Sequence, residues 1–175
     1  MFQDESRFGR INDIRRCWSF PGNRPGVARQ IIREYSYIYG AFCPTTGGSD
    51  MLILPSMTSE CMNIFLAELS ERHADKFILL ICDGAPNHRE KSIKVPENIM
   101  IHHLPALSPQ LNPSENMWDE IKEKFFHNRL FSSMEEVLNR MSDAIINYEA
   151  APEVVKSITG WDWIINPINS ILKGN

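Results

Sequence analysis

The stretch from Phe77 to Trp118 does most to constrain the fold. It opens with an apolar run, Phe77-Ile78-Leu79-Leu80-Ile81-Cys82, and stops at Asp83-Gly84, an acid and a turn. Such a run suits a central strand buried on both faces of a sheet. Asp83 then stands at the strand's C-terminal end, where open α/β sheets gather their functional groups. Ile99–Leu104 reads as a second strand, followed by a Pro-rich loop. Asn112 is placed to cap the next helix, with Pro113 at its first helical position. Glu115 falls in the first turn of that helix, so both carboxylates sit at element ends.

The flanking sequence predicts the rest of an α/β layer. Met1–Gln3 is a very short apolar start before the polar cluster Asp4-Glu5-Ser6. A strand is expected near 11–18, ending in the turn signal Trp18-Ser-Phe-Pro-Gly22-Asn-Arg-Pro25. Tyr35, Tyr37 and Tyr39 alternate along a strand over 33–42, which predicts one packed face. Gly47-Gly48 turns the chain into a short strand over 50–54, completing an antiparallel meander. Thr58 or Ser59 caps a helix that carries Met62, Phe65, Leu66 and Leu69 on its apolar face and ends near Ala74-Asp75. That helix is a crossover, making the 77–82 strand parallel to an earlier one. A second amphipathic helix runs from Met134 to Tyr148. The tail from Pro152, with Val154, Ile158, Trp161, Trp163 and Ile164, docks as well.

At 175 residues the chain is one domain, or one domain with a helical appendage. Its 22 acids against 18 bases give a net charge of −4, which is not the footprint of a strong free-standing nucleic-acid binder. A carboxylate site can still recruit cations that meet phosphate. Arg7, Arg10, Arg15, Arg16, Arg24, Arg29 and Arg33 make the N-terminal third basic, either a DNA-facing patch or a solvated hairpin face. Cys17, Cys43, Cys61 and Cys82 form no Cys-x-x-Cys pair. Without a signal peptide, four reduced thiols in a cytoplasmic protein are the expectation. No apolar run reaches the length of a membrane span.

Three blocks then resemble a known family: Asp4-Glu5-Ser6, Asp83-Gly-Ala-Pro-Asn-His88, and Leu104-Pro-Ala-Leu-Ser-Pro-Gln-Leu-Asn-Pro-Ser-Glu115-Asn-Met-Trp118. They are similar to the catalytic domain of DDE transposases, in particular bacterial insertion-sequence transposases related to the mariner group. Trp18, Gly22, Pro25 and Thr159-Gly-Trp161 share the likeness, which covers nearly the whole chain. The resemblance implies a ribonuclease H-like fold: a mixed five-stranded sheet flanked by helices, its first and fourth strands parallel neighbours. It divides the chain into a catalytic domain over 1–150 and a docked helical tail over 151–175. It implies the acidic triad Asp4, Asp83 and Glu115, holding two Mg²⁺ or Mn²⁺ ions. Two such ions about 3.5–4 Å apart clamp a scissile phosphate, and hard cations keep several waters, so few carboxylates suffice. The activity implied is DNA cleavage and strand transfer. The partners implied are transposon ends, target DNA and a second copy of the chain, with no membrane.

Each residue has a plainer reading beside this one. Asp83 could be a turn residue. Glu115 could close a capping box back onto the Asn112 amide. Asp119 shares its helical face with Glu115 and is a spare ligand. Alternation sends Asp4 and Glu5 to opposite faces, so only one can join the site. His88 could meet phosphate, position water or simply face solvent. Asn87 and Asn112 could orient the acids or serve only as turn and cap. His102-His103 reads as strand packing with one exposed ring.

Two departures from the family pattern bear on function. No helix-turn-helix DNA-binding region precedes Met1, so recognition of transposon ends is not expected from this chain. The family's first strand carries apolar residues before its acid, whereas here only Met1–Gln3 do. A central strand so short predicts unpaired neighbours and marginal stability, with the chain a fragment of a longer frame. An inactive remnant that dimerises or binds DNA weakly is therefore the alternative to an enzyme. A ribonuclease H-like nuclease for RNA–DNA hybrids or junctions is a third reading.

Overall fold

Among the residues described by the computed structural model, 1–12, 14–23, 25–83 and 92–172, five strands form one mixed sheet. They are β1 (Phe2–Ile11), β2 (Ile31–Phe42), β3 (Ser49–Leu54), β4 (Ile78–Cys82) and β5 (Ile99–His103), in the spatial order β3-β2-β1-β4-β5. β1, β2 and β3 pair antiparallel, while β1–β4 and β4–β5 pair parallel. The helices are α1 (Ser59–Arg72), α2 (Ser114–Ile121), α3 (Met134–Glu149), α4 (Pro152–Thr159) and α5 (Asp162–Leu172). Lys122–Phe126 winds on from α2 as a π-helix. None of these helices is long and apolar enough to cross a membrane.

Each sheet face has its own core. α1 starts where Thr58 accepts a hydrogen bond from the Cys61 amide, and it presents Cys61, Met62, Phe65, Leu66 and Leu69 at helical spacing. These cover Tyr39, Ala41, Leu80 and Cys82. On the opposite face Phe8, Ile38 and Phe42 meet Met117, Trp118 and Ile121 of α2, Val137 and Met141 of α3, and Val155 of α4. Ile158 of α4 packs against the same core. The second core lies over β1–β3 and leaves the far side of β4 open: Leu79 is 44% exposed. The apolar run of β4 is thus buried on one face only, not on both.

The largest departure from expectation is β1. In place of a three-residue stub and a strand at 11–18, one ten-residue strand runs through the polar cluster. It pairs residue for residue with β2, from Phe2 opposite Phe42 to Gly9 opposite Tyr35. Its polar residues have homes on both faces. Asp4 and Ser6 are buried, and the guanidinium of Arg7 lies 4.9 Å from the centre of the Tyr35 ring. From Asn12 to Gln30 none of the described side chains is buried, and Trp18 and Phe20 stand exposed. The excursion closes at its base, where Asn12 donates to the Ala28 carbonyl and accepts from the Gln30 amide. Packing of the Tyr alternation fades along β2: Tyr39 is fully buried, Tyr35 largely exposed.

Candidate active site

The parallel register between β1 and β4 sets the site. Phe2 lies opposite Ile81, the Met1 amine donates to the Leu79 carbonyl, and the Ile81 amide donates to the Met1 carbonyl. Two residues further along each segment stand Asp4, on β1, and Asp83, just past the end of β4. The Leu104–Asn112 loop then carries the chain across this edge. Its start is fixed by the Leu104 amide donating to the Cys82 carbonyl at 2.8 Å. Its end is fixed by Asn112, which is buried: Nδ2 donates to the Gln3 carbonyl and Oδ1 accepts from the Ser114 amide, both at 3.1 Å. Asn112 thus caps α2 and ties it to β1 one residue before Asp4.

Asp4, Asp83, Asn112 and Glu115 line one cavity of about 300 Å³ with the loop residues Leu104 to Pro109. The capping-box alternative for Glu115 has lost its donor, because the Asn112 amide bonds to the Pro109 carbonyl at 2.9 Å. Asp119 is exposed and engaged by Arg15 at 3.2 Å, and it does not line the acid cavity. Glu5 turns to the α1 face, opposite Tyr39. His102 is exposed, and His103 Nδ1 lies 3.1 Å from the Asp83 carbonyl, which adds a strut to that acid's backbone. Asn87 and His88 lie outside the described residues.

The electrostatics are those of crowded acids. Burial pushes the Asp4 carboxyl up to about 7, and the charges of Glu115 and Glu5 add to the shift. Trp118 opposes it, donating Nε1–H to Asp4 Oδ2 at 2.9 Å within the core. Glu115 is also raised, by partial burial and by Asp119 and Asp83, against the pull of Lys122. Among the described residues no three acid, His or Cys side chains close round a single point. The donor set nevertheless fits a hard divalent cation: three carboxylates line one cavity, and those of Asp4 and Glu115 are made costlier to ionise by burial and by neighbouring acids.

Sequence reasoning missed the polar end of the buried Trp118. It also missed Gly40, which lies directly opposite Asp4 on β2. A Cβ there would stand 2.6 Å from the Trp118 ring, so the glycine makes room for the indole that holds Asp4. The only signal was a Gly inside a strand pattern, which marks close approach.

Residues 1–138 match the family of DDE superfamily endonucleases. The chain belongs to that family. A curated relative, the uncharacterized protein y4pE/y4sA of Sinorhizobium fredii (strain NBRC 101917 / NGR234), is 34% identical over 130 residues, covering 74% of this chain and 96% of that protein. Among solved structures, the pre-cleavage Mos1 transpososome aligns with a TM-score of 0.64 and 14% identity, covering 90% of this chain and 52% of that one. The Mos1 transposase paired-end complex with left transposon end gives 0.60 and 15%, covering 91% and 55%. The catalytic domain of Mos1 mariner transposase gives 0.55 and 12%, covering 90% and 76%. At such identities the likeness shows the fold, the ribonuclease H-like sheet of a transposase catalytic domain. This DDE-family chain spans about half the length of the transposases in the two complexes.

Proposed function

We propose that this domain cleaves and joins DNA strands in transposition of an insertion sequence, with Asp4, Asp83 and Glu115 as its catalytic acids. The observation that carries the reading is convergence: acids from β1, the end of β4 and the first turn of α2 line one cavity. Two Mg²⁺ or Mn²⁺ ions, when bound there, supply an activated water or 3′-hydroxyl and stabilise the departing oxygen. Mos1 paired-end complexes have been solved with Mn and with Mg, which supports this choice of ions. Asp4 is held by the Trp118 indole, so its carboxylate is oriented before a ligand arrives. Asn112 keeps the loop and the first turn of α2 against β1, and Glu115 reaches the cavity from there. No side-chain nucleophile is needed, because water and the 3′-hydroxyl are the attacking groups.

DNA is the substrate, and a second copy of the chain is the expected partner in the transposition complex. The exposed Trp18 and Phe20 on the β1–β2 excursion support such a contact, since they bury nothing within one chain. We read 1–150 as the catalytic domain and 151–175 as its docked tail. The test is nicking of supercoiled plasmid in Mn²⁺. The wild-type chain nicks, and Asp83→Asn and Glu115→Gln each lower the rate by roughly 10²-fold or more, the usual loss for an electrostatic group at a reacting centre. Equal nicking by the variants, or none by a folded wild type that binds Mn²⁺, overturns the assignment.

A further inference from the structure

The loop that walls the acid cavity carries an anomaly. Leu107 has φ 58°, in the left-handed region, and its side chain is 97% exposed. Among the described residues Asn128 is the other non-glycine with positive φ, and Asn tolerates that conformation where Leu does not. Single exposed leucines are ordinary on protein surfaces. One held in a disfavoured backbone conformation at the rim of a functional cavity is not, because such strain persists only where the surroundings impose it. Here they do. The loop is pinned at Leu104 to the Cys82 carbonyl and at Asn112 to the Gln3 carbonyl, the backbones that lead into Asp83 and Asp4. Pro105 and Pro109 stiffen the span between these points, and the Leu111 amide bonds back to the Ser108 carbonyl at 3.0 Å. Leu107 therefore projects from a rigid arch whose inner wall is the acid cavity.

We infer that Leu107 is a wedge that inserts between nucleobases beside the phosphate held at the acids. The inference rests on the function proposed above and adds a DNA-deforming contact to it. A phosphate drawn to divalent cations that the three carboxylates would hold brings its own nucleotide to the rim, where the apolar group meets the base rather than the charged backbone. Leu is among the side chains that proteins insert into base steps, unstacking them to bend the duplex toward the protein. The strained backbone holds the side chain outward before DNA arrives, so no ordering of the loop is required on binding.

The test uses the whole chain and a short duplex with 2-aminopurine substituted along one strand, with Ca²⁺ replacing Mg²⁺ or Mn²⁺ to suppress cleavage. Wild type raises the 2-aminopurine fluorescence. Leu107→Gly and Leu107→Asn, both at ease at this backbone conformation, lose most of the rise. They also weaken binding by about tenfold, the share of one base contact. Leu107→Phe keeps the signal. All three variants retain wild-type Mn²⁺ binding, and Leu107→Gly melts no lower than wild type, which excludes misfolding. An unchanged rise in Leu107→Gly, or no rise in a wild type that binds the duplex or fails to bind it, overturns the wedge. Loss of Mn²⁺ binding in wild type sinks the metal site instead, so the two failures are told apart.

Discussion

A carboxylate buried beside other acids destabilises the fold until a positive charge joins it. Asp4 is that group, with a carboxyl moved from 3.8 to about 7 by burial and by Glu115. Its folded value lies above its unfolded one, so between these limits the native chain binds more protons than the unfolded chain. Without metal, the stability that Asp4 contributes is fully present below about pH 4 and falls as pH rises through 7. Thermal melts of the metal-free protein across this range should show the decline, and Asp4→Asn should flatten it. Trp118→Phe leaves the Asp4 oxygen without its indole donor, at a cost of about 1–3 kcal/mol. Because the indole N–H favours the ionised form, that cost is larger above pH 7 than below it. Denaturant titrations on both sides of the transition check this, and a pH-independent cost would mean that the indole contributes packing alone.

At the scale of elements, β1 and β2 hold the site in register. Gly40 faces Asp4 across the strand pair and lies under the Trp118 ring. Gly40→Ala forces that ring away, so it should destabilise the fold by about 1–3 kcal/mol, as overpacking does. It should also weaken Mn²⁺ binding, because Asp4 loses its anchor. Calorimetry on a folded Gly40→Ala chain reads the second effect, and wild-type affinity there would sever the Trp118–Asp4 link from the site. These elements also show what could be read from sequence. The α1 helix, β3, β4 and β5 were legible because each buries residues at its own periodicity, as Met62, Phe65, Leu66 and Leu69 do. β1 was not, because Asp4, Ser6 and Arg7 find tertiary partners that no local pattern announces. The motif singled out Glu115, and that residue lines the cavity shared with Asp4 and Asp83. The polar use of Trp118 was not legible, since a buried Trp looks the same from sequence whether or not its N–H has an acceptor.

At the scale of the molecule, the chain is a DDE-family sheet with one face covered by α1 and β1–β3 of the other by α2–α4, and with its acids where β4 ends beside the start of β1. That the acids form one cation site is tested most directly by calorimetric titration of Mn²⁺ into wild type and Asp83→Asn, both shown to be folded. Saturable binding is expected in wild type and lost in the variant. Absence of binding in wild type, or undiminished binding in Asp83→Asn, would contradict such a site.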